Sequence, residues 1–428
     1  MTGHMISRIS TPHERGPMID ACAPEQRLIM AMLAATGAGH IWGEPATLAA
    51  AVSWDRFMSV ADDMLKPYLH WVSRQAPFAA LIPVSVQEQL GLARHATRIK
   101  NLRWASELRQ IVATFRSEAI SLIVVKGAVL QRTVYPDPST RPMSDVDVVV
   151  RREQMALVYE VLARLGFHSR TEPEAHIPGE GLAPDEEGYF IKPVGDRALL
   201  LEVHTRLEMH SGYLHPTWDR CAEVRGSDGL LVPALDPHSA LRHICFHLAK
   251  HGFEHGLMWL LDVRLFVEGN QASIDWDAFI EECEPSALPL LGFTLGLAAD
   301  WLGTDVPERL RAALPVGESK RAAPLVWSQM WDYGRSRQPL NAVTLVLSGD
   351  PRRIWTYLRD RGRRWTAPMP GRGSHPLVLM AKRMGADFKF FRARVRDGGF
   401  RLTSIRAARQ SDRRFEQLRA ILWPPPKK

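Results

Sequence analysis

Asp145 and Asp147 open the run Asp145-Val146-Asp147-Val148-Val149-Val150. In an extended segment, residues at i and i+2 point to one face. Two carboxylates so placed can grip one or two hard divalent cations beside a phosphate. Upstream, Lys126-Gly127 forms a turn where an ammonium and backbone N–H groups can approach phosphates. Arg141, between turn and aspartates, suits charge developing on a triphosphate, or a structural clamp on Asp137 or on the aspartates themselves. A third acid, Glu202, interrupts the apolar run Ala198 to His204. In a strand it shares a face with Leu200 and His204 and reaches the aspartates if the two strands pair; its alternative is an ion pair with Arg206. His204 then either orients Glu202 or caps the strand. Attack on the α-phosphorus of an NTP is assisted when two cations, roughly 3.5–4 Å apart, stabilise the attacking and leaving oxygens. The set therefore reads as phosphoryl or nucleotidyl chemistry with Mg²⁺, two ions, and an NTP as donor. Asp145, Asp147 and Glu202 are the expected metal ligands and catalytic acids, and Lys126, Gly127 and Arg141 the nucleotide contacts. A lone D-x-D is weaker, because aspartates also form turns at strand starts and sugar transferases use the same pair.

The chemistry needs strands, and the sequence supplies them in the right places. Ile120 to Val125 is a short β-branched run ending at Lys126-Gly127, and Asp145 to Val150 is a second, beyond a Pro-containing loop. Glu153 to Leu165 returns to helical spacing and stops at Gly166. Ala198 to His204 is the third strand. Ahead of these, residues 1–116 are mostly helical, with apolar residues at three- and four-residue intervals over Pro24 to Thr36, Trp54 to Arg74 and Val86 to Arg116. After them, Ala240 to Lys250, Leu257 to Val267, Trp276 to Glu282 and Leu288 to Leu302 read as helices. The expected division is 1–116 helical, 117–235 catalytic core, 236–350 helical and 351–428 a basic, aromatic-rich tail.

His243, His247, His251 and His255 recur every four residues, a drifting stripe on a helix. No H-E-x-x-H pattern accompanies them, so packing or substrate-facing roles account for them better than a transition-metal site.

The 428 residues, 46% apolar and 24% charged, suffice for two or three domains' worth of core and exclude a disordered chain. The four cysteines lie far apart with no C-x-x-C, which leaves out zinc knuckles and redox pairs. No apolar segment suits a membrane span or a secretory signal, and a cytoplasmic protein is expected. The net charge of +7 is uneven: Pro351 to Lys428 carries 21 Lys+Arg against 5 Asp+Glu, so the tail is +16 and the preceding residues −9. Such a tail suits nucleic acid, an acidic partner or the chain's own acidic body.

The string KGAVLQRTVYPDPSTRPMSDVDVVV, followed by LLLEVHTRL and then by HICFHLAKHG and MWLLDVRLF, closely resembles the uncharacterised bacterial nucleotidyltransferase family of the polymerase-beta-like superfamily. The likeness covers most of residues 28 to 300. It implies an α+β fold, a small mixed β-sheet flanked by helices with N- and C-terminal helical regions, in which Asp145 and Asp147 are the metal aspartates and Glu202 the third acid. It also places His247, His251 and Asp262 near the cleft. The superfamily's phosphate turn usually reads Gly-Ser or Gly-Gly, whereas here Gly127 precedes Ala128, so a hydroxyl contact to phosphate is missing. Transfer of an NMP from an NTP, ATP among them, to a small molecule, peptide or protein is the activity implied, with peptide tailoring as one setting. A catalytically quiet adaptor for a peptide or nucleic acid, and a phosphotransferase or glycosyltransferase using the same aspartates, are the rival functions.

Overall fold

The β-branched runs around the aspartates form the middle of a seven-stranded mixed sheet. The protein is seen here as a computed structural model that describes residues 22–34, 42–169, 187–194, 197–209, 212–214, 218–253, 256–336, 413–415 and 417–422. Helices α1 (Pro24–Ala34), α2 (Pro45–Ala51), α3 (Trp54–Val60), α4 (Lys66–Ser73) and α5 (Val84–Ser117) come first. The central region holds β1 (Leu122–Val125), α6 (Gly127–Thr133), β2 (Val146–Val150), α7 (Met155–Arg164), β3 (His168–Ser169), β4 (Glu187–Val194) and β5 (Arg197–His204). It continues with β6 (Leu207–Met209), β7 (Gly212–Leu214), β8 (Ala222–Arg225) and β9 (Leu231–Ala234). Helices α8 (Pro237–Lys250), α9 (Gly256–Gly269), α10 (Trp276–Glu281), α11 (Leu288–Leu302), α12 (Glu308–Arg311) and α13 (Val316–Ser336) follow.

The strand order is β3-β4-β5-β2-β1-β9-β8, with β6 and β7 forming a separate ribbon. β2 is antiparallel to β1 and parallel to β5, which makes the sheet mixed at its centre. The α+β expectation holds. The sheet is nevertheless larger than the three expected strands, since β3 and β4 extend it on one side and β9 and β8 on the other. Between β1 and β2 the chain is not all loop, because Gly127–Thr133 is helical.

Alternation divides β2 cleanly. Val146, Val148 and Val150 pack with Leu201 and Val203 against Trp104, Leu108 and Phe115 of α5 and Val158 and Val161 of α7. Val149 packs on the other face with Ile123, Val125, Leu207 and Leu235. Asp147 shares this second face, because it lies two residues before Val149. Helices α1 to α4 and the start of α5 share one apolar core with α8 to α13, and Leu418, Ile421 and Leu422 of the C-terminal segment are buried in that same core. The rest of the basic tail and His255 lie outside the described residues.

Candidate active site

Register brings the acids together. Asp147 stands opposite Val125 on one side and Glu202 on the other. β1 ends at Val125, so Lys126 leaves the sheet beside the aspartate. Its backbone is at φ 54°, ψ −133°, a region a side-chain-bearing residue rarely adopts. The side chain turns onto Asp147, with Nζ 2.6 Å from Oδ1. His204 Nε2 meets the same oxygen at 3.0 Å and lies 3.9 Å from Glu202 Oε2. Asp147, Glu202 and His204 each offer one ligand atom, all within 4.8 Å of one another. Asp145 stands outside that group, two residues away along the chain, and accepts a 2.9 Å hydrogen bond from Ser144 Oγ.

The electrostatics are lopsided. Burial alone would raise Asp147, but the Lys126 ammonium and the His204 hydrogen bond outweigh it and hold this carboxyl well below the usual range. Burial and then the negative charge of Asp147 raise Asp145. Glu202 is pushed up to about 7 by burial and by the charges of Asp147 and Asp145. Burial alone would lower Lys126, but the charge and hydrogen bond of Asp147 together with the charges of Glu202 and Asp145 outweigh it and raise this ammonium above its usual range. Three carboxylates thus face one ammonium, and two of them are raised by burial and then by repulsion from acidic neighbours, which a divalent cation would relieve. The carboxylate oxygens are the hard donors that suit Mg²⁺ or Mn²⁺.

Arg141 goes elsewhere. Its guanidinium donates to Asp262, Nε to Oδ1 at 2.8 Å and Nη2 to Oδ2 at 2.6 Å, and Tyr135 Oη donates to Asp262 Oδ1 at 2.7 Å. Both members of the ion pair are buried. Its carboxylate partner is thus an acid in α9, and not Asp137 or the aspartates. Asp262 is correspondingly the floor of this clamp. Gly127 has its own reason to lack a side chain: a Cβ there would run into Arg141 Nη1. The loop behind is fastened to α5, where Asn101 Nδ2 lies 2.7 Å from Gln131 Oε1, 2.7 Å from Pro138 O and 2.9 Å from Arg141 O.

His247 and His251 pack on Trp259, with ring centroids 4.3 and 5.3 Å from the indole, and on each other at 4.8 Å. Among the described residues the cluster at metal-binding spacing is the strand cluster of Asp147, Glu202 and His204, and the histidine stripe contributes none. The reach of His204 to Asp147 and the anchoring role of Tyr135 are additions from the structure. Only the i+2 spacing from Glu202 hinted at the first, and nothing local marked the second.

The chain belongs to the uncharacterised nucleotidyltransferase family, whose profile matches residues 50–303, more than half its length. The matched stretch includes every residue of the site. No functionally curated protein matches the sequence. Among solved structures, the antibiotic-resistance factor ANT(2'')-Ia is similar at 14% identity over 42% of this chain and 92% of that one, with a TM-score of 0.29. An antigenic nucleotidyltransferase-like protein from Paracoccidioides brasiliensis is similar at 15% identity over 47% of this chain and 94% of that one, with a TM-score of 0.30. Likeness this loose carries nothing about substrates. No helix among the described residues is long and apolar enough to cross a membrane.

Proposed function

We propose that this protein transfers an NMP from an NTP to an acceptor hydroxyl, phosphate or similar nucleophile, with pyrophosphate leaving, in a reaction that depends on divalent cations. The observation that carries the reading is the pairing of Asp147 with Glu202 across parallel strands, with Asp145 beside them. Asp145, Asp147 and Glu202 would hold the cations, two Mg²⁺ with the triphosphate. Bound there, the ions supply Lewis-acid stabilisation of charge on the transferring phosphoryl group.

The protein's own groups do the rest. Lys126 carries a fixed positive charge next to the carboxylates, where an anionic phosphate gains from it. His204 holds the Asp147 carboxylate in place by its 3.0 Å contact. The Arg141–Asp262–Tyr135 network fixes the turn at Gly127 from below, so the Lys126 ammonium is presented from a rigid support. The acceptor falls in the class of small molecules, peptides or proteins.

The test is transfer of label. The full chain, an α-labelled NTP, Mg²⁺ and fractionated cell extract should yield a labelled extract component and pyrophosphate. Asp147→Asn removes one charge at constant shape and should abolish the transfer. Full transfer by a folded Asp147→Asn protein would end this assignment.

A further inference from the structure

Lys126 touches a residue that should be holding metal. Its Nζ is 2.6 Å from Asp147 Oδ1, and His204 Nε2 is 3.0 Å from the same oxygen. A cation shared by Asp147 and Glu202 must approach this carboxylate. An ammonium and a divalent ion on one carboxylate repel each other strongly where water is largely excluded, and both Lys126 and Asp147 are mostly shielded, at 16% and 7% side-chain exposure. The lysine is also not there by default. Its backbone is strained at φ 54°, and it is gripped between β1, whose Val125 pairs with Asp147, and the first residue of α6. The strained backbone fixes the root of the side chain while four rotatable bonds leave the ammonium free to swing.

We propose that Lys126 is the counter-ion of the carboxylate cluster when no metal is bound, and that it gives up Asp147 to the incoming cation only when a triphosphate is present to receive its charge. The proposal rests on the nucleotidyltransferase reading of the site and adds an order to it. Free cation meets Asp147 already neutralised, and displacing the ammonium would leave a buried charge unpaired. The triphosphate removes that obstacle by offering Lys126 a new partner. Metal and nucleotide therefore bind cooperatively, each strengthening the other by the same factor. The chain takes its cation as the metal–nucleotide complex, and unaccompanied divalent ions leave the cluster largely untouched.

The experiment measures Mn²⁺ binding to the full chain by the electron paramagnetic resonance of free Mn²⁺, with and without a non-reactive α,β-methylene NTP analogue. Lys126→Met keeps the stem and removes the charge. It should tighten Mn²⁺ binding in the absence of nucleotide roughly tenfold or more, weaken binding of the analogue, and erase most of the cooperativity seen in the wild type. Lys126→Gly, which also relaxes the backbone, should show the same tightening and serves if the methionine variant does not fold. Unchanged or weaker Mn²⁺ binding in a folded variant overturns the counter-ion role. Failure of the underlying reading looks different: Mn²⁺ would not bind wild type even with the analogue, or Asp147→Asn would bind it as well as wild type does.

Discussion

Arg141 and Asp262 are 121 residues apart in sequence and are joined by two parallel hydrogen bonds in the interior, from the end of the loop before β2 to the middle of α9. Fork-to-fork geometry of this kind fixes orientation as well as distance. The pair ties α9 to the loop before β2 and sets the guanidinium against Gly127 of the turn that carries Lys126. Without it, Gly127 would face a guanidinium with no fixed place.

Asp262→Ala should therefore be costly. It strands a buried guanidinium and the Tyr135 hydroxyl together, and removal of one partner from a buried pair costs about 3–5 kcal/mol. Urea denaturation monitored by circular dichroism should show the midpoint falling accordingly. A loss below about 1 kcal/mol would mean that water replaces the carboxylate easily.

Gly127→Ala tests the contact from the other side. The new methyl collides with Arg141, and overpacking of this sort costs about 1–3 kcal/mol. Transfer activity should fall further than stability does, because the displaced turn carries Lys126. Measured together, activity and urea midpoint separate the two effects; equal losses would leave no special role for the turn.

The raised Glu202 carboxyl makes a pH prediction. Its folded-state value is about 7, above the ordinary 4.5, so the folded protein holds a proton between these values that the unfolded chain has released. Stability from this group is present below about 4.5 and is lost as pH rises through about 7. In chelator, the urea midpoint of wild type relative to Glu202→Gln should decline from pH 5 to pH 7.5 and level off above. Added Mn²⁺ together with the non-reactive NTP analogue should reverse the decline and release protons on binding near neutral pH. A difference that does not vary with pH would show that Glu202 titrates normally.

At the far end of the chain, Leu418, Ile421 and Leu422 are buried in the core shared by the N-terminal and C-terminal helices. This segment is part of the body's packing, although the rest of the sequence there reads as a basic tail. Leu418→Ala should cost about 2–5 kcal/mol, as for other buried leucines, and deletion from residue 413 onward should cost more. Thermal unfolding by calorimetry would detect either change. No effect would mean that the segment lies on the core without supporting it.

Local pattern was enough for much of this protein. The i, i+2 spacing of Asp145 and Asp147, the single acid in Ala198 to His204, and the three-and-four periodicity of Val86 to Arg116 each express the geometry of one element, and that geometry does not depend on what the element later packs against. Hence helices α1, α3 to α5 and α7 to α11, the strands at the centre of the sheet and the facing of Glu202 were legible from the residues alone, whereas α2, α6, α12 and α13 were not. Strands β4, β8 and β9 were not, since Glu187 to Val194 contains Gly188 and Pro193 and only its pairing with β5 makes it a strand. Partner choice was equally hidden. That Asp147 stands opposite Glu202, that His204 reaches Asp147, that Lys126 occupies the aspartate and that Arg141 selects Asp262 are decided by register and packing between segments distant in sequence. Several acids were available to each cation, and only closure of the chain around its core determined which one was near.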